Sequence, residues 1–167
     1  TPIWGFSQAA NSMVSNLIGQ NKVGEVTTLV KRVSLMSLIT GVITTVLFLL
    51  FPEFIFHLTT SDDALISHAT NSFYIICAAT IIFSVSMILL SSISGTGSTK
   101  AAMYIEISNI SIYLIYIFSC SFIFNASVEV IWCSEIVYWL LMGIFSAGYL
   151  YSGKWRLNIE NLSADHV

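Results

Sequence analysis

Five stretches of this chain contain no Asp, Glu, Lys or Arg: residues 1–21, 33–52, 64–99, 107–128 and 136–153. Each is at least about the ~20 residues that a helix needs to cross the hydrocarbon core of a bilayer. Inside lipid no water is available to bond backbone N–H and C=O groups, so only helices and closed barrels can span it. Barrel strands are about half as long as these runs. The chain is 56% hydrophobic and 9% charged, with a mean hydropathy of +0.83, whereas soluble domains carry roughly 25% charged residues. Six basic and nine acidic side chains in 167 residues cannot cover a soluble surface. The sequence therefore predicts an all-α membrane protein. One bundle is expected over residues 1–156, with five spans at about 2–18, 33–51, 69–92, 101–124 and 130–151, followed by a polar tail over 157–167.

The fourth span tests this reading. Tyr104 to Phe118 reads YIEISNISIYLIYIF, in which apolar and polar residues nearly alternate and isoleucine abounds. Alternation and β-branched residues are a strand signature. The length of the charge-free run outweighs it, and the polar residues also fit a helical period. Boundaries follow from local chemistry. Pro2 suits a first helical turn, and Gly19, Pro52, Gly95-Thr96-Gly97 and Gly153 stand where helices are expected to stop.

Orientation is read from the cations. Lys22, Lys31 and Arg32 fall between the first two spans, Lys100 between the third and fourth, and Lys154 and Arg156 after the fifth. Residues 52–68 and 125–129 contain no Lys or Arg. With alternating helices all six cations lie on one face, which the positive-inside rule makes cytoplasmic. The C-terminus is then inside and the N-terminus outside. With no initiator Met and no leader sequence, the expectation is that the chain is the back end of a longer membrane protein.

Polar residues recur at helical spacing. Glu106, Asn109, Tyr113, Tyr116 and Cys120 form one stripe on the fourth helix, and Glu135, Tyr138, Met142, Phe145 and Tyr149 form another on the fifth. The third carries Cys77, Thr80, Ser84, Met87 and Ser91, with Asn71 and Tyr74 near its outer end; the first carries Gln8, Asn11, Ser12 and Ser15. The second, with Ser34, Ser37, Gly41 and Thr44, reads as a packing face. Such stripes either line a polar path or pack helices together, because Ser, Thr and Asn bond across helices in lipid and small residues allow close approach. The acids weigh toward function, since a carboxylate at membrane depth costs a few kcal/mol. Glu135 lies roughly 8 Å inside its helix at 1.5 Å per residue. The candidate pathway residues are Glu106, Asn109, Tyr113, Glu135, Tyr138, Tyr74, Gln8 and Asn11.

Other chemistry is excluded or bland. Cys77, Cys120 and Cys133 have no metal-ligand spacing and read as small apolar packing residues. His57 and His68 read as solvated loop residues. No H-E-x-x-H or G-x-S-x-G occurs, and SGTGSTK (Ser94 to Lys100) lacks the spacing of a phosphate loop. The expectation is no enzyme, no resident cofactor or metal, and no basic cluster for nucleic acid.

The loops add a resemblance. NLIGQNKVGEV (Asn16 to Val26), FPEFIFHLTTSDDALISHATNSFYI (Phe51 to Ile75), SGTGSTK, and EIVYWLLMGIFSAGYLYSGKW (Glu135 to Trp155) stand in the order and spacing of multidrug and toxic compound extrusion (MATE) transporters. The chain resembles that family over nearly its whole length. The resemblance implies twelve helices in two lobes around a cavity, with the present bundle as the eighth to twelfth and most of the C-terminal lobe. It also implies exchange of Na⁺ or H⁺ for small organic cations, in a bacterial inner membrane, with an N-terminal lobe as partner. One branch of the family places ion-binding acids in the seventh and tenth helices. The helix matching the tenth has Asn71, Tyr74, Thr80 and Ser84 but no carboxylate within its span, so the coupling site falls either to the other lobe or to Glu106 and Glu135. A lipid-linked saccharide flippase of similar architecture and a non-transporting membrane scaffold are the alternatives.

Overall fold

The computed structural model describes residues 2–59, 63–124 and 126–156; the side chains of 57–59 and 63–68 lie outside the described residues, as do His57 and His68 with them. Within these bounds the chain consists of helices joined by short turns. Helix α1 spans Pro2–Gly19, α2 Val26–Leu50, α3 Pro52–Thr59, α4 Asp63–Gly95, α5 Thr99–Phe118 and α6 Val128–Ser152. A short 3₁₀ turn, Val23–Glu25, leads into α2, and α5 widens into a π-helical turn over Ser119–Ile123. The strand-like Tyr104–Phe118 stretch is helix.

Four helices among the described residues are long and apolar enough to cross a membrane: Val23–Leu50, Ala69–Gly95, Thr99–Ile123 and Val128–Ser152. The count of five is thus one too high by that measure. Helix α1 has 18 residues, but Ser7, Gln8, Asn11, Ser12, Ser15 and Asn16 dilute its apolar character. It still packs along α4 and α2, burying Ile3, Ser7, Ala10 and Val14. Helix α2 starts at Val26, ahead of the expected Val33, because Val26 and Val30 join Val14 and Trp155 in an apolar cluster. Lys31 and Arg32 therefore lie within its first two turns, on its exposed flank. Helix α3 was not expected; Pro52 and Glu53 in its first turn suit a helix start. The 157–167 tail lies outside the described residues.

Helix α4 is the hub, packed most heavily against α6 and also against α2 and α1. Bilayer hydrocarbon offers helices no hydrophobic incentive to associate, so close packing and interhelical hydrogen bonds hold them together. Both are visible on α4. Ser37 donates to the Ser84 carbonyl at 2.7 Å, beside Gly41, where an added Cβ would come within 2.8 Å of Ser84 Cβ. Ser7 and Ser91 share a 2.6 Å hydrogen bond, and Ser15 donates to the Gly95 carbonyl at 2.9 Å. Ser86 donates to the Trp139 carbonyl at 2.7 Å, opposite Gly143. The serine stripe of α4 and the small-residue face of α2 are thus contact surfaces.

These contacts make α1 and α4 parallel, with their C-terminal ends together. The end of α4, the start of α5 and the end of α6 meet through Ile93, Ala102, Met142 and Tyr149. Lys22, Lys31, Arg32, Lys100, Lys154 and Arg156 consequently gather at one end of the bundle. Cys77, Cys120 and Cys133 are free thiols, the first buried and the others half-buried.

Candidate ion and substrate pathway

The polar stripes of α5 and α6 face each other. Asn109, wholly buried, donates from Nδ2 to the Tyr138 carbonyl at 3.0 Å, while its Oδ1 is buried without a partner. One turn further on, the Tyr113 hydroxyl donates to Glu135 Oε1 at 3.2 Å. The other carboxylate oxygen, Oε2, accepts from Trp139 Nε1 at 3.2 Å. Tyr113 and Tyr138 stack edge to face with ring centroids 5.4 Å apart, and Tyr138 and Trp139 do so at 4.8 Å. Phe83 of α4 closes against Trp139 at 4.5 Å. The Tyr116 hydroxyl continues the contact by donating to the Val130 carbonyl at 3.1 Å.

Glu135 therefore has both oxygens held by neutral donors and no cation in that pairing. Such donors replace part of the hydration that a carboxylate loses on partial burial. Glu135 also sits where two open grooves meet. One, of about 350 Å³, is lined by Ile76, Ala79, Thr80, Phe83, Trp132, Glu135 and Trp139. The other, of about 330 Å³, is lined by Ile110, Tyr113, Leu114, Glu135, Tyr138 and Trp139. A negative charge flanked by aromatic faces attracts cations by two routes, direct Coulomb attraction and the ring quadrupole.

Of the expected pathway residues, the structure brings together Asn109, Tyr113, Glu135 and Tyr138. Glu106 lies on the same stripe of α5 and is exposed. Tyr74 does not join them; it is exposed on α4, with its ring edge-on to Phe73. Gln8 is exposed and Asn11 half-buried on α1, which packs on α4 and α2. Among the described residues no group of three or more His, Cys, Asp or Glu side chains could hold a metal ion. Trp139 was missed by sequence reasoning, although its position four residues after Glu135 puts both on one helical face.

Long apolar helices joined through serine and glycine contacts, with a carboxylate set among them, define a polytopic helical membrane protein. The model of the MatE family matches residues 1–131, and the chain belongs to that family of transporters. The match ends before Glu135, so the α6 half of the site lies beyond the matched residues. No curated protein and no solved structure matches the chain.

Proposed function

We propose that this chain is part of an ion-coupled antiporter that exports small organic cations in exchange for Na⁺ or H⁺, with Glu135 as the carboxylate the two cations share. The observation that carries the reading is the placement of Glu135: held by Tyr113 and Trp139, yet open to two grooves walled by aromatic rings. An organic cation would be held by Trp132, Trp139 and Phe83 around the carboxylate. Binding of the coupling ion at the same oxygens would neutralise the charge and release it. Glu106, exposed on the same stripe, would serve as a second acid on the route. The exposed Gln8 and Ser12 of α1 make a polar face that lipid would disfavour, which supports a second lobe of helices across a water-filled cavity. In this reading the six cations mark the cytoplasmic side of a bacterial inner membrane.

A flippase for lipid-linked saccharides of similar architecture would need cations deep in its cavity. Lys31, Arg32 and Lys100 instead lie in the first turns of their helices, near one membrane face. A non-transporting scaffold would leave its polar groups closed between helices, as Ser37 and Ser86 are, rather than open to grooves. The test is export of a cationic dye by the full-length protein under an imposed Na⁺ or H⁺ gradient. Glu135→Gln should reduce gradient-driven export to background at normal expression, and Glu106→Gln should reduce it partly. Unchanged export in both variants would remove this bundle from the coupling mechanism.

A further inference from the structure

A third groove lies away from Glu135, between the start of α2 and the end of α6. Its volume is about 360 Å³ and its walls include Val30, Leu38, Val85, Leu89, Leu150 and Trp155. That volume falls in the usual range for small-molecule sites, roughly 300–1,000 Å³. Along α2 its lining runs from Val26 to Leu38, roughly 18 Å at 1.5 Å per residue. One leaflet of hydrocarbon is about 15 Å deep, half of the ~30 Å core. From Lys31 to Leu38 the slot is roughly 10 Å long at 1.5 Å per residue, room for much of one acyl chain. Trp155 forms a fixed part of its wall, buried and donating from Nε1 to the Leu150 carbonyl at 2.9 Å.

The polar lining of α2 is confined to Thr27, Lys31 and Ser34, spaced four and three residues apart along one flank. Ser34 keeps a buried hydroxyl oxygen without a hydrogen-bond partner. No carboxylate lines the groove; nearby Glu25 belongs to a separate groove that it shares with Arg32. Val26, Val30 and Trp155 place one end of the groove toward the end of the bundle where all six cations gather. An organic cation finds no carboxylate here, and the Trp155 ring already carries the Arg156 guanidinium at 5.2 Å, whereas a phosphate finds Lys31 on the wall of an apolar slot.

We propose that this groove binds one anionic phospholipid from the adjoining leaflet, its acyl chain along α2, α4 and α6 and its headgroup phosphate on Lys31. Basic pockets between membrane helices on the cation-rich side suit such headgroups, because attraction to a lysine near the surface adds to burial of the chain. The site is independent of Glu135 and of the direction of transport.

Native mass spectrometry of the full-length protein, released from mild detergent with equimolar phosphatidylglycerol and phosphatidylcholine, reads the preference directly. The anionic lipid should be retained about fivefold over the zwitterionic one, the equivalent of roughly 1 kcal/mol for one lysine contact. Lys31→Gln should bring the ratio near one, Lys31→Arg should keep it, and Lys154→Gln, on the same end but outside the groove, should leave it unchanged. Equal retention of both lipids by the unaltered protein, or equal losses in Lys31→Gln and Lys154→Gln, would overturn the site. A measurement without variants guards against misfolding: anionic lipid brominated on its acyl chains should quench tryptophan emission more than brominated phosphatidylcholine at the same mole fraction. Equal quenching would also overturn the proposal.

Discussion

Gly95→Ala is the sharpest test of how this bundle holds together. A Cβ at Gly95 would lie 2.6 Å from the Asn11 carbonyl oxygen, 3.0 Å from Val14 Cβ and 3.2 Å from Asn11 Cα. Two of these are backbone atoms of α1, so no side-chain rotation relieves the clash. Restoring ordinary contact at 3.4 Å requires α1 and α4 to separate by about 0.8 Å at this point. The Ser15 hydrogen bond to the Gly95 carbonyl, now 2.9 Å, would stretch past useful length, and the 2.6 Å Ser7–Ser91 bond would weaken. Overpacking costs about 1–3 kcal/mol, and each interhelical bond in a membrane contributes about 0.6 kcal/mol. Replacing glycine by alanine in a helix returns up to ~1 kcal/mol. The net expectation is a loss of about 1–3 kcal/mol. Gly148→Ala is the control, since an added Cβ there meets nothing within 4 Å; it should be neutral or slightly stabilising. The assay is unfolding of the full-length protein in mixed micelles titrated with a denaturing detergent. Equal stability of the two variants would refute the close approach of α1 to α4.

Gly41→Ala should be destabilising by a similar mechanism, through Ser84 Cβ at 2.8 Å, and should be partly rescued by Ser84→Gly, which removes the opposing atom; the same detergent titration reads it. Tyr113→Phe and Trp139→Phe each remove one donor to Glu135. Each should cost about 1–2 kcal/mol in binding of an organic cation, measured by equilibrium dialysis, with little change in expression. Labelling of single cysteines introduced at Glu53 and Ser152, in a background lacking Cys77, Cys120 and Cys133, should find them on opposite faces of the membrane. Access to both from one side would refute the topology.

Much of the bundle is legible in the sequence, because charge placement in lipid is costly enough to mark every long helix. The same cost makes Glu106 and Glu135 stand out, and the three-four spacing correctly aligns Asn109 with Tyr113 and Glu135 with Tyr138. Spacing within a helix does not say how that helix is rotated against its neighbours. For that reason spacing alone does not say that Tyr74, Gln8 and Asn11 stand apart from the cluster around Glu135. Trp139 was hidden by its apolar character; only its four-residue offset from Glu135 signals a donor. The early start of α2 was obscured by Lys31 and Arg32, which extend from its exposed flank while Val26 and Val30 are buried on the other side. The short α3 was overlooked because it is too short to span, despite Pro52 and Glu53 at its start.

The central claim is that Glu135 is the carboxylate shared by exported cation and coupling ion. Binding of tetraphenylphosphonium to the purified full-length protein, measured across a series of Na⁺ concentrations and pH values, tests it most directly. The account predicts that Na⁺ or H⁺ competes with the probe. It further predicts that Glu135→Gln weakens binding by at least about tenfold, roughly 1.4 kcal/mol, and abolishes that competition. Unaltered affinity with the same competition in Glu135→Gln would contradict it.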